Sequence, residues 1–145
     1  MHNESLHQIH GKCHCGNIRF TLMTKLLADD LQKRKCQCTF CLKHGNVWTS
    51  VPDGELNVEI NDLNKCNKYN FGHKTADFYI CASCGIVPVA ISKIDNNDFA
   101  VINLNTVEPQ IITKDAVDFS FEEESTEKRL NRRKSSWIKN VVINI

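Results

Sequence analysis

Apolar and polar residues alternate through Ile18-Arg19-Phe20-Thr21-Leu22, the period-two pattern of a strand with Ile18, Phe20 and Leu22 on its buried face. Val47-Trp48-Thr49-Ser50-Val51, Leu56-Asn57-Val58-Glu59-Ile60 and Phe78-Tyr79-Ile80 are further runs rich in β-branched and aromatic residues. They are punctuated by Pro52-Asp53-Gly54, Asn61-Asp62 and Gly72-His73. Ile86-Val87-Pro88-Val89-Ala90-Ile91 and Phe99-Ala100-Val101-Ile102-Asn103-Leu104 are nearly continuous apolar runs, and Asp95-Asn96-Asn97-Asp98 between them reads as a hairpin turn. Pro88, which cannot donate to a ladder, predicts an edge or a bulge for the first of these. Helix is expected only over Leu26 to Lys35 and over Ser125 to Lys134, and neither stretch has a strong apolar face. The second has acids before it and Lys128, Arg129, Arg132 and Arg133 toward its end, which suits the helix dipole. It reads as a solvated helix end in which Glu124 supports Lys128 four residues on. The pattern predicts a mainly β fold of short strands with little helix.

A chain of 145 residues with 41% hydrophobic and 24% charged content has the size and balance of one globular domain, taken here as residues 1–145. No repeat, low-complexity tract or linker divides it. Eighteen Lys and Arg against 17 Asp and Glu leave a formal charge of +1, so no global field recruits nucleic acid or an anionic membrane. Nucleic acid is not an expected partner, and an anionic ligand must be held locally. Met1-His2-Asn3-Glu4-Ser5-Leu6-His7 has no apolar core of signal-peptide length, and no later run approaches the ~20 residues a spanning helix needs, so a cytoplasmic location is expected. In a reducing compartment, eight cysteines point to metal binding or catalysis rather than to disulfides.

Seven of the cysteines fall in three clusters: Cys13-x-Cys15-Gly16, Cys36-x-Cys38-x-x-Cys41 and Cys81-x-x-Cys84-Gly85. A Cys-x-x-Cys-Gly turn aims two thiolates at one point, and its glycine accepts a left-handed backbone, the role expected of Gly85 and of Gly16. A closed structural zinc site wants four ligands, so Cys13 and Cys15 combine with Cys81 and Cys84. A redox pair is disfavoured at Cys81 and Cys84, because a strand run rather than a helix follows them. Cys36, Cys38 and Cys41 supply three sulfurs, which leaves a fourth position open, as in catalytic zinc. Three thiolates on a divalent ion carry a net charge of −1, which weakens its hold on water and suits a soft substrate thiol. Cys66 or His44 is a candidate fourth ligand that would close this site instead, and Cys66 could alternatively act as a redox partner of Cys36, Cys38 or Cys41.

These motifs resemble the glutathione-dependent formaldehyde-activating family, which includes the zinc domain of centromere protein V. The resemblance rests on Gly11-Lys12-Cys13-His14-Cys15-Gly16-Asn17-Ile18-Arg19-Phe20, on Cys36-Gln37-Cys38-Thr39-Phe40-Cys41 with Gly45, and on Cys81-Ala82-Ser83-Cys84-Gly85. It extends through Tyr69-Asn70-Phe71-Gly72 to Ser136-Trp137-Ile138, with a motif core over about residues 9–108 and a C-terminal extension to 145. Ile86 and Cys66 stand outside the pattern. The resemblance implies a small β-tent of short antiparallel sheets with zinc knuckles. It implies a structural zinc on Cys13, Cys15, Cys81 and Cys84 and an active-site zinc on Cys36, Cys38 and Cys41. The implied activity is that of a carbon–sulfur lyase resembling S-(hydroxymethyl)glutathione synthase, joining or splitting glutathione and formaldehyde. Lys43, His44, His73 and Lys74 are the candidate contacts for the anionic thiol. The rival expectation is a non-catalytic module with two structural zincs that binds a partner through the basic run from Lys128 to Lys134.

Overall fold

The computed structural model describes residues 6–121 and 123–145, so Met1 to Ser5, most of the polar opening run, lie outside the described residues. In chain order the elements are β1 His7–Lys12, β2 Ile18–Thr24, β3 Arg34–Cys36, α1 Thr39–His44, β4 Val47–Thr49, β5 Glu55–Ile60 and β6 Cys66–Tyr69. There follow β7 Asp77–Cys81, β8 Val89–Ile94, β9 Asn97–Asn103, β10 Val107–Glu108, β11 Val117–Phe119, α2 Thr126–Ser136 and β12 Asn140–Asn144. The fold is mainly β. One sheet has the order β10-β1-β2-β5-β12 and the other β11-β3-β4-β9-β8-β7-β6. Pairing is not antiparallel throughout as expected: β12 joins β5 and β11 joins β3 in parallel, so both sheets are mixed.

Alternation places Ile18, Phe20 and Leu22 of β2 and Leu56, Val58 and Ile60 of β5 on the inner face of the first sheet. They pack against Val89, Ile91, Ala100 and Ile102 of the second sheet. Each such large side chain taken from water contributes about 1.5–3 kcal/mol. The intervening residues of β8 and β9, Ala90, Phe99 and Val101, turn to the opposite face, where they meet Trp48, Cys41 of α1 and Trp137 just past α2. Both faces of the central strands are therefore covered, which explains why their sequences are continuously apolar. At the β8–β9 hairpin, Asp95 and Asn96 take φ of +52° and +66° and Ile94 pairs with Asn97, the two-residue turn that matches strand twist.

Four expectations are corrected. Leu26 to Lys35 is not a helix: it holds a single 3₁₀ turn at Ala28–Asp30 and then β3, because Leu27 offers no side-chain cap and Leu31 is drawn into the core. Pro88 does not lie on an edge strand. It precedes β8, a central strand, and its carbonyl accepts from the Asn103 N–H at 2.8 Å. A helix absent from the expectation, α1, runs through the middle cysteine cluster. α2 forms where it is expected, capped by the Ser125 hydroxyl on the Lys128 N–H, but Glu124 pairs with Arg132 at 2.9 and 3.0 Å rather than with Lys128. Among the described residues no helix is long and apolar enough to cross a membrane.

Candidate metal centres

Two clusters of cysteines come together, and in each the sulfurs all lie within 4.8 Å of one another. The first joins Cys13 and Cys15, on the turn between β1 and β2, to Cys81, which ends β7, and Cys84, on the turn that follows. Gly16 and Gly85, at φ +86° and +80°, let each turn double back, and the Gly85 N–H closes its turn on the Cys81 carbonyl at 2.8 Å. The Cys15 sulfur stands 3.8 Å from that of Cys13 and 3.4 Å from that of Cys81. A disulfide needs ~2.05 Å, whereas sulfurs on tetrahedral zinc bonds of ~2.3 Å stand about 3.8 Å apart. The donor set therefore fits a closed metal site. Burial pushes Cys13 up to about 12, opposed by the Ile18 N–H and assisted by hydrogen bonding among the neighbouring thiols. Burial also acts to raise Cys84, but N–H donors at Cys15 and Ile86 and its neighbouring thiols outweigh it and bring Cys84 down to about 6. This clip ties one sheet to the other rather than closing a single sheet. Asn17 fixes its N-terminal turn by donating to the carbonyls of Asp62 and Lys65 and accepting from the Asp62 N–H.

The second cluster comes from one short stretch. Cys36 ends β3, Cys38 is the N-cap of α1 with its sulfur accepting from the Cys41 N–H at 3.4 Å, and Cys41 lies inside the helix. Gly45, at φ +67°, ends α1, and Asn46 is held by Asn103, which also binds the Val47 N–H. The Trp48 indole N–H donates to the Cys41 sulfur at 3.3 Å. Hydrogen bonds from the Cys36 and Cys41 thiols, then from the Cys41 and Phe40 N–H groups, draw Cys38 down to about 2 despite burial. The same sharing raises Cys36 and Cys41. Three thiols competing to stabilise one thiolate are the donor set that a soft divalent cation satisfies.

Beside this triad opens a partly enclosed cavity of about 140 Å³. A single water needs only ~10–15 Å³ on the same measure, so this is room for a small organic ligand and not a packing defect. Cys36, Cys38 and Cys41 line it together with aromatic side chains that include Trp48, Phe78 and Phe121. Of the four candidate substrate contacts, His73 lines the cavity and bonds Thr126 at the start of α2, whereas Lys43, His44 and Lys74 are exposed and off its wall. Neither candidate fourth ligand joins the triad. His44 is exposed with its ring 4.6 Å from Phe40, and Cys66 sits on β6 directly across from Cys81, beside the other cluster. The redox exchange envisaged between Cys66 and the triad therefore has no adjacent pair.

Arg34, Arg129, Arg132 and Arg133 all line the cavity, so three members of the basic run turn inward instead of forming a solvated helix end. Their spacing of i, i+3 and i+4 along α2 puts them on one helix face, which was the available signal. Arg133 is 6% exposed, donates to Thr75 and Ser92 and lies over the Trp137 ring. Burial, then the charges of Arg129 and Arg132, pushes it down to about 10. Burial, then Arg132, lowers Arg34 as well.

A protein-family model described as glutathione-dependent formaldehyde-activating enzyme matches residues 8–123. A crystal structure of a Rhodobacter sphaeroides protein, a structural-genomics target, superposes with a TM-score of 0.53 at 23% identity, covering 77% of this chain and 99% of that one. That likeness concerns the fold. No curated protein matches the chain.

Proposed function

Because the chain belongs to the glutathione-dependent formaldehyde-activating family, whose named members are enzymes, we propose that it joins or splits a small thiol and an aldehyde, glutathione and formaldehyde being the substrates the family suggests. In this reading Cys13, Cys15, Cys81 and Cys84 hold a structural zinc, and Cys36, Cys38 and Cys41 hold a zinc at the active site. The observation that carries the reading is the triad itself: three sulfurs on a cavity wall, with no fourth His, Cys or acid among the described residues to complete them. Zinc bound there supplies a soft, weakly acidic centre at which a substrate thiol is favoured as thiolate.

The chain's own part is placement. Trp48 and Phe78 back the triad and keep water from the sulfurs. Addition forms one carbon–sulfur bond, the aldehyde oxygen becomes a hydroxyl, and the thiol proton ends on that oxygen. We assign that proton to His73, whose Nδ1 is engaged by Thr126 while the ring faces the cavity. Holding sulfur and carbonyl carbon about 3–3.5 Å apart in such a slot is the main source of acceleration available here.

The rival, a non-catalytic module, relied on the basic run as a docking surface. That run is largely spent inside: Arg129, Arg132 and Arg133 face the cavity and Lys134 pairs with Asp95 at 2.6 Å. Cadmium-113 NMR of the cadmium-substituted protein separates the two readings, because the chemical shift reports the number of sulfurs. One four-sulfur resonance, plus a three-sulfur resonance that moves on adding glutathione, is expected. Two four-sulfur resonances indifferent to glutathione would make both ions structural.

A further inference from the structure

The cavity beside the triad carries more positive charge than the fold needs. Four guanidiniums line it, and among the described residues a single carboxylate, Glu124, pairs with any of them, through Arg132. Arg34 and Arg133 are held by hydroxyls, Ser50 at 2.9 Å for Arg34, and Thr75 at 2.7 Å and Ser92 at 3.1 Å for Arg133. Arg129 is held by the Phe121 carbonyl at 2.7 Å. Neutral partners satisfy some N–H groups and leave the charge uncompensated. The Nε atoms of Arg129 and Arg133 are buried and have no hydrogen-bond partner among the described residues. Buried unpaired cations are costly, so such a cluster persists where an anion completes it.

The chemistry of that anion is indicated at the cavity edge. Arg132 grips Glu124 in the two-bond fork that a planar guanidinium makes with a carboxylate, and its Cζ lies 3.6 Å from the Phe121 ring centroid. Arg34, Arg129 and Arg133 line the same cavity, and a carboxylate is the anion that a planar guanidinium matches best. Arg129, Arg132 and Arg133 belong to α2, beyond the residues 8–123 that match the family.

We propose that Arg34, Arg129 and Arg133 form a carboxylate subsite facing the thiol triad across one cavity, so that the preferred substrate is a small thiol bearing a carboxylate, selected by a helix that lies beyond the family's matched residues. The thiol half of this statement rests on the function proposed above. The carboxylate half stands on the arginines.

The test is calorimetric titration of the metal-loaded full-length protein with 3-mercaptopropionate, with its amide and with thiol-free propionate. The acid is expected to bind about tenfold more tightly than the amide, the worth of one charge-assisted fork. In Arg129→Gln that preference should collapse while amide affinity stays put, and Arg129→Lys should retain part of it. Arg34→Gln provides a second variant, and circular dichroism checks that each variant folds. Arg133 is left alone because it also anchors α2. Equal binding of acid and amide to the native protein would overturn the subsite, as would a preference unmoved in both glutamine variants. If propionate binds and is lost in Arg129→Gln while neither thiol gains from its sulfur, the subsite stands and the thiol–aldehyde reading falls.

Discussion

Both cysteine clusters bring their sulfurs within 4.8 Å, yet they are built in opposite ways. The four-sulfur cluster takes two residues from each of two turns far apart in sequence, one from each sheet, and sinks Cys13 and Cys81 into the core at 0% and 1% exposure. The three-sulfur cluster is nearly local, spanning Cys36 to Cys41 across a strand end and one short helix, and although Cys41 is buried at 1% exposure, all three residues line a cavity. A metal in the first place is a cross-link between sheets. In the second it is a surface presented to a ligand. On the proposed reading the contrast teaches that stability and chemistry are separated in this fold: the long-range cluster resembles a clip, and the local one can be rearranged at small cost to the whole.

The sharpest way to break this comparison is to remove one sulfur from each cluster. Cys81→Ala opens the clip that bridges Cys15 and Cys81, and by analogy with a cross-link closing a loop of that length it should cost about 4 kcal/mol. The loss would appear as a lowered midpoint in urea, with the bound metal falling by one equivalent. Cys38→Ala should abolish thiol binding and the associated metal, yet cost about 1 kcal/mol of stability from the lost N-cap, over and above the metal's own contribution. If the two variants unfold at the same denaturant concentration, the division between clip and site is wrong.

The clip was legible in the sequence because Cys-x-Cys-Gly and Cys-x-x-Cys-Gly are local geometries: each turn aims its sulfurs whatever surrounds it. The β2 and β5 strands were legible for a similar reason, since one face alone is buried and alternation records it. The triad's three sulfurs were readable, but α1 was not. Six residues are too few to show a helical period, and its cap is a cysteine rather than the usual serine or aspartate. The parallel joins of β12 to β5 and β11 to β3 left no trace, because pairing partners are chosen by packing between distant segments. The arginines of α2 misled because, with Leu130 as the helix's lone large apolar residue, the face turned inward is itself charged. Cys66 could not be placed without knowing that β6 lies against β7.

A gentler comparison uses two glycines. Gly85 in the clip and Gly45 at the end of α1 both hold left-handed backbone, and a Cβ at either would meet nothing within 4 Å. Alanine should therefore cost about 1 kcal/mol at each from backbone conformation alone, and asparagine less. The expected consequences differ. Gly85→Ala should lower the unfolding midpoint and weaken the tighter metal, whereas Gly45→Ala, which shifts the end of the helix bearing Cys41, should also weaken thiol binding in a calorimetric titration. Loss of thiol binding in Gly85→Ala alone would reverse the two roles.

The smallest effect concerns Glu124, the one carboxylate among the described residues that pairs with the cavity's arginines. Burial alone would raise it, but the two hydrogen bonds and charge of Arg132, with the charges of Arg129 and Arg133, hold its carboxyl below the usual range. A carboxyl depressed in the folded state stabilises that state fully at pH values above its unfolded pKa of ~4.3, and the contribution is lost as pH falls through the lower folded value. The pair is largely shielded, with 19% and 23% of the two side chains exposed, but it lies at the edge of the fold, so about 0.5 kcal/mol is expected. Glu124→Gln should therefore be less stable than the native protein by that amount at neutral pH, and the difference should shrink as pH falls below about 4.3 and vanish once pH is under the lowered folded value. The same substitution frees Arg132 from its internal carboxylate. A carboxylate-bearing thiol should then bind more tightly to Glu124→Gln than to the native protein, while its amide is indifferent. Weaker binding of the acid would mean that Glu124 positions the arginines rather than competing with the ligand for them.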